Sequence, residues 1–101
     1  MASFIKVAKL TDLPEGSGKL VEAGGKKITL FNASGTFYAI DNTCKHRGGP
    51  LAEGELDGTI VTCPWHGWEY DIATGTKLDD AGVKLGCYAV KADGDDILVE
   101  A

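Results

Sequence analysis

The sequence predicts an all-β protein, on three observations. Short segments rich in β-branched and aromatic residues recur along the chain, separated by turn residues. Fourteen glycines against a single methionine favour turns over long helices. No segment sustains a helical period. In chain order, Phe4–Ala8, Lys19–Glu22, Lys27–Phe31 and Phe37–Asp41 are the first expected strands. Gly24-Gly25 and Ser34-Gly35 stand where hairpin turns would join them, because left-handed backbone conformations cost glycine little. Cys87–Lys91 and Ile97–Glu100 are expected strands flanking the hairpin signal Ala92-Asp93-Gly94-Asp95. One short helical turn is expected near Thr11–Leu13, ahead of Pro14. Gly16-Ser17-Gly18-Lys19 completes neither a dinucleotide fingerprint nor a P-loop and reads as a turn.

Length and charge bound the function. At 101 residues the chain is expected to form one domain, residues 1–101, with a small core to which a bound cofactor would add stability. A formal charge of −5 argues against a nucleic-acid binder, since phosphate contacts require a surplus of Lys and Arg. The first ten residues lack the cationic start and apolar run of a signal peptide, and no stretch approaches the ~18 apolar residues of a membrane span. The expected compartment is the cytoplasm, where disulfides are disfavoured. Three cysteines is an odd count, which points to metal binding, reactivity or burial rather than a disulfide framework.

The stretch from Asn42 to Tyr70 differs in texture from its surroundings. It holds both histidines, both tryptophans, two of three prolines and two of three cysteines, and reads as a site-bearing subdomain inserted into a plain β scaffold. Within it stand Cys44-Lys45-His46, then sixteen residues, then Cys63-Pro64-Trp65-His66. Each half supplies one thiolate and one imidazole from a tight loop. A lone histidine or cysteine is ordinarily a satisfied core residue, but here each histidine of the chain follows a cysteine by two or three positions. Two metals fit such a set. Zinc would take all four ligands in one tetrahedron. A [2Fe–2S] cluster would give one iron both thiolates and the other both imidazoles. Ligand type alone leaves both open.

These residues resemble those of the Rieske family, whose pattern is Cys-x-His, a spacer, then Cys-x-x-His followed by glycine. The matching runs are Cys44-Lys-His46-Arg-Gly-Gly-Pro50-Leu and Cys63-Pro-Trp-His66-Gly-Trp-Glu-Tyr-Asp. The chain is most similar to stand-alone Rieske ferredoxins that serve bacterial aromatic-ring dioxygenases, over nearly its whole length. The resemblance implies a small antiparallel β-sandwich or barrel scaffold carrying a cluster-binding subdomain near residues 42–70. It implies one [2Fe–2S] cluster per chain, held by Cys44, His46, Cys63 and His66, with the thiolate-bound iron inside and the histidine-bound iron at the tip. Gly48, Gly49 and Gly67 would let the loops turn sharply and bring N–H groups near sulfur, and Pro50 and Pro64 would stiffen them. Trp65 and Trp68 would shield the centre. Two ferric ions, two sulfides, two thiolates and two neutral imidazoles sum to zero charge, so one added electron gives −1. Four thiolates would give −2 going to −3, hence the higher potential of the mixed ligand set.

Departures from the family pattern are equally specific. Respiratory Rieske proteins carry two further cysteines that bridge the loops and a serine donor beside the cluster. Gly49 and Trp65 stand at the cysteine positions and Trp68 at the serine. Tyr70 occupies the position of a tyrosine donor, or is a half-buried strand aromatic. Asp79–Leu85 falls where relatives carry a proline-bearing covering loop, but it contains no proline. Cys87, in a strand-like run, is expected to be a small buried residue and no ligand. With both histidines committed and no nicotinamide or flavin site, the expectation is an electron carrier and no enzyme. It would pass single electrons from a ferredoxin reductase to a terminal oxygenase, as a monomer in isolation with no nucleic-acid or membrane partner. The alternatives are the small Rieske-type subunit of a nitrite reductase, bound to a large oxidoreductase subunit, and a zinc-held interaction module. Lys45 and Arg47 flank His46 and would place a cationic patch at the electron exit.

Overall fold

The computed structural model describes residues 3–43, 50–65 and 67–100. Among these the expected all-β architecture holds, as three antiparallel sheets. β1 (Phe4–Lys9) leads through a single 3-10 turn, Leu10–Asp12, to β2 (Gly18–Ala23), β3 (Lys26–Ala33) and β4 (Thr36–Asp41). A second 3-10 turn, Leu51–Glu53, precedes five short strands: β5 (Glu55–Asp57), β6 (Ile60–Thr62), β7 (Glu69–Asp71), β8 (Thr76–Lys77) and β9 (Asp80–Lys84). β10 (Cys87–Tyr88), β11 (Val90–Asp93) and β12 (Asp96–Glu100) complete the described chain. Spatial order is β1-β12-β11 in the first sheet, β10-β4-β3-β2 in the second and β5-β6-β7-β8-β9 in the third. Among the described residues no helix is long and apolar enough to cross a membrane.

Turn chemistry sets the registers of the central sheet. Gly24 and Gly25 both adopt positive φ (57° and 77°) between the paired Ala23 and Lys26, and Ser34 and Gly35 do so (54° and 93°) between Ala33 and Thr36. Positive φ at both loop residues is the type I′ geometry, whose twist matches that of the strands it joins. Those registers put every residue of β3 from Ile28 to Asn32 out of solvent. Ile28 and Leu30 face a core shared with Val21, Ala39, Ile97 and Val99. Phe31 faces the other way, into a second core with Ile40, Leu51, Val61, Cys63, Tyr70, Ile72 and Leu85. The four-stranded sheet is therefore the middle layer, with the three-stranded sheet on one face and the five-stranded sheet on the other. Gly18 makes room on the second face, since a Cβ there would lie 2.9 Å from the Phe31 ring.

One expected strand is corrected. Cys87–Lys91 is not one strand. Cys87 and Tyr88 pair with Ile40 and Ala39, whereas Val90–Asp93 pair with β12, so the chain changes sheets at Ala89. Asp79–Leu85, where relatives carry a proline-bearing loop, is mostly β9, paired with β8, and ends on buried Leu85. The small sheet consequently runs to Lys84, past the Asn42–Tyr70 stretch that composition singles out.

Asp41, the last residue of β4, ties this region to the later chain. Its carboxylate accepts from the Gly86 N–H at 2.8 Å and from the Tyr88 hydroxyl at 2.5 Å, and its own N–H donates to the Gly86 carbonyl at 2.9 Å. Burial, reinforced by the bond to Asp41 and its charge, pushes the Tyr88 hydroxyl up to about 12. A folded-state pKa above the unfolded value, ~10 for tyrosine, stabilises the fold fully below pH ~10. That contribution is lost as pH rises towards the folded-state value. Absorbance titration should show one tyrosinate appearing near pH 12 in the native protein and absent in Tyr88→Phe. A Tyr88-dependent transition near pH 10 would contradict the Asp41 contact.

Gly54 offers a second test. A Cβ at this position would lie 2.2 Å from the Thr62 carbonyl oxygen and 3.2 Å from that of Leu51, both backbone atoms. Gly54→Ala must push β6 away and is expected to cost about 1–3 kcal/mol as overpacking. An unchanged denaturation midpoint would show that β6 yields freely.

Candidate metal centre

Of the four expected ligands, Cys63 is described; Cys44, His46 and His66 lie outside the described residues, as do Lys45, Arg47, Gly48 and Gly49. Cys63 follows β6 directly and is 2% exposed, packed in the second core. The loop it opens is closed by backbone bonds. The Cys63 N–H donates to the Trp68 carbonyl at 2.7 Å, and the Gly67 N–H donates to the Cys63 carbonyl at 3.1 Å. Gly67 takes φ +77°, the left-handed conformation this closure requires and glycine supplies without strain. The tight loop expected from Cys63-Pro64-Trp65-His66-Gly67 is thus present at its two ends.

The segment carrying Cys44 and His46 is clasped at its base. Thr43 and Pro50 form an antiparallel bridge, and the Leu51 N–H donates to the Asn42 carbonyl at 2.9 Å. Asn42, 6% exposed, makes the clasp with its side chain as well. Its Oδ1 accepts from the Thr29 hydroxyl at 2.7 Å and from the Ala52 N–H at 3.1 Å. Leu51, fully buried beside Cys63, seats the far end in the second core, a burial worth about 1.5–3 kcal/mol. Asn42 was not singled out as a functional residue in its own right. Its only sequence signal is an asparagine at the end of a strand just ahead of a cysteine, which reads equally well as a turn residue.

The aromatic residues divide. Trp65 is 57% exposed, so its ring stands mostly in solvent rather than sealing the interior. Trp68 is half-buried and packs on the second core, with the Lys77 ammonium 4.5 Å from its ring centroid. That ammonium also donates to the Asp79 carboxylate, and this bond holds the Asp79 carboxyl below the usual carboxylate range. Tyr70 is fully buried on β7, deeper than a half-buried strand aromatic.

Cys87 departs from expectation. It is exposed, because β10 has two residues and forms an edge of its sheet, leaving the side chain uncovered beyond Gly75. Partial burial nonetheless pushes its thiol up from the ordinary range, against the opposing effect of Lys84, which disfavours the thiolate a metal would need. The residues present fit an iron–sulfur centre. A buried thiol opens one closed loop, and the clasped base of the loop holding a second cysteine and a histidine abuts the same core.

Comparison with known proteins agrees. Residues 3–89 match the Rieske [2Fe-2S] domain family. The chain is 38% identical over 76 residues to the ferredoxin component of the naphthalene 1,2-dioxygenase/salicylate 5-hydroxylase systems of Ralstonia sp., covering 75% of this chain and 73% of that protein. It is 36% identical over 96 residues to human apoptosis-inducing factor 3, of which it spans 16%. Among solved structures, the complex of reduced oxygenase and oxidised ferredoxin in carbazole 1,9a-dioxygenase contains a similar chain. That match has TM-score 0.87 and 29% identity, covering 96% of this chain and 92% of that one. A nitrite reductase small subunit from Mycobacterium tuberculosis superposes with TM-score 0.91 at 21% identity, covering 100% and 96%, a likeness of fold alone. By these matches the chain belongs to the Rieske [2Fe-2S] domain family and carries one [2Fe–2S] cluster.

Proposed function

We propose that this chain is a cytoplasmic one-electron carrier, the ferredoxin component of an oxygenase system, with Cys44, His46, Cys63 and His66 holding its cluster in a single domain. The observation that carries the reading is the buried Cys63 thiol in a closed loop beside the clasped base of the segment bearing Cys44 and His46. Similarity to the Ralstonia ferredoxin component over 73% of that protein supports the choice of system. The donor and acceptor would be a ferredoxin reductase and a terminal oxygenase.

When bound, the cluster supplies one reversible electron transfer. The chain's own residues position and enclose it. The Cys63–Trp68 and Gly67–Cys63 backbone bonds keep the second loop tight, and Asn42 keeps the first loop's ends together. Exposed Trp65 stands on the same loop as His66, where a partner would approach an electron exit. With the chain's two histidines engaged as ligands, no second set for a mononuclear iron is left, so catalysis falls to the partner.

Purified protein should be red-brown, with two irons and two acid-labile sulfides per chain. Cys63→Ala should lose the cluster and most of its thermal stability, because metal binding is partly folding energy. Cys87→Ala should keep full iron content. One zinc and no visible absorption in the wild type would overturn the reading, and a colourless Cys87 variant would overturn the ligand assignment.

The reduction potential should lie near the low end of the Rieske range, about −150 mV, because no disulfide bridges the loops and Trp68 replaces a hydroxyl donor. A clearly positive midpoint at neutral pH would count against this. Stoichiometric co-purification with a sirohaem reductase, in place of reduction by a flavin-dependent ferredoxin reductase, would make the chain a subunit instead.

A further inference from the structure

Lys77 is an unusual place for a cation. It sits on β8, and its side chain is only 12% exposed. Long cationic side chains normally extend their heads into water, since burying an ammonium is costly unless it is paired. Here two contacts compensate. The ammonium lies 4.5 Å from the Trp68 ring centroid and donates to the Asp79 carboxylate, whose own side chain is 79% exposed. A cation over an indole face is attracted by the negative face of the ring, more strongly the less water surrounds it.

The position matters because of what Trp68 does. Its carbonyl closes the Cys63 loop. Lys77, Trp68 and Gly67 also line one cleft of about 190 Å³, together with Glu69, Leu78 and Asp79. The carboxylates of Glu69 and Asp79 belong to exposed residues, so water and salt screen them, whereas the Lys77 side chain is only 12% exposed and its charge is screened less.

We propose that Lys77, lodged over Trp68, is a fixed positive charge that favours the reduced state of the centre held by the Cys63 loop. The inference rests on the ligand assignment given above. Adding one electron makes the site one unit more negative, with no proton required, and a nearby cation stabilises that added charge. Lys77 is thus a tuning and positioning residue that acts on the loop from outside the ligand set. Its effect partly offsets the missing hydroxyl donor at Trp68.

The test is the midpoint potential of the purified, cluster-loaded protein and four variants, titrated at low and high salt. Lys77→Met keeps a flexible apolar side chain over the indole and removes the charge. It should lower the equilibrium constant for reduction about threefold, near 28 mV for one electron at 59 mV per tenfold. Lys77→Arg should leave the midpoint in place. Asp79→Asn keeps an oxygen for the ammonium to bond and removes only the negative charge, so it should raise the midpoint, by less than Lys77→Met lowers it. The double variant should fall between the two. High salt should erase the Asp79 effect before the Lys77 effect. Opposite signs at the two positions are not expected of a merely structural role. Midpoints that do not move, or that move in the same direction in both single variants, would overturn the proposal. Should Lys77→Met lose its cluster, Asp79→Asn decides alone, and a midpoint equal to or below wild type would sink it. A wild-type protein without iron would defeat the ligand assignment instead, a result readable before any variant is made.

Discussion

The constraint on which the rest of the molecule depends is the burial of β3 on both faces. A strand covered on one side only can leave its polar residues in water. β3 cannot, because Ile28 to Asn32 are all buried. The two polar residues of that buried run, Thr29 and Asn32, must therefore find partners inside the protein, since an unpaired buried polar group costs about 1–3 kcal/mol. Asn32 donates to the Leu13 carbonyl at 2.8 Å and accepts from the Gly35 N–H at 2.9 Å, fastening the segment ahead of β2 and the β3–β4 turn. Thr29 donates to Asn42 and so fastens the base of the first ligand segment. Satisfying the middle strand is also what anchors the loops.

From there the logic runs outward to the site. Asn42 gathers the bond from Thr29, the Ala52 N–H and the Leu51 N–H, so both ends of the segment between Thr43 and Pro50 are held from one residue. In the same second core, the short β6–β7 hairpin holds the Cys63 loop, with Val61 and Tyr70 paired and both buried. Five strands of two to five residues form a weak sheet by themselves, and three or more strands need a hydrophobic face to be stable. The second core supplies that face, and a metal centre joined to both loops would add the remaining cross-link.

Charge follows the same division between scaffold and site. The molecule is anionic as a whole, with formal charge −5, yet Lys77, its side chain little exposed, sets its ammonium against the indole of Trp68 at the end of the Cys63 loop. A carrier that gains and loses a single electron changes charge by one unit. Individual groups near its centre therefore matter more to its equilibrium than the diffuse surface charge, which salt screens.

The β class, the positions of β1 to β4 and β12 and the hairpin turns were legible in the sequence because they depend on local effects, whereas the short strands β5 to β9 were not expected from it. β-Branched and aromatic residues marked β3 and β4, and Gly24-Gly25 and Ser34-Gly35 supplied the positive φ that two-residue turns demand. Family membership was legible for the same reason, since Cys-x-His and Cys-x-x-His each bring two candidate donors within one turn of chain. What only the tertiary structure decided depends on contacts between segments distant in sequence. The sheet change at Ala89 follows from which neighbour each half of Cys87–Lys91 meets, β4 or β12. Cys87 is exposed because, among the described residues, β10 is an edge strand, and Asp79–Leu85 is mainly strand because β8 offers it a partner. Asn42 and Lys77 carry no local signature that identifies their roles. Their roles arise from Thr29, thirteen residues before Asn42, and from Trp68, which β7–β8 pairing sets beneath an ammonium nine residues on. Residue type shows what a side chain can do, but burial and neighbours, which are properties of the folded chain, decide what it does.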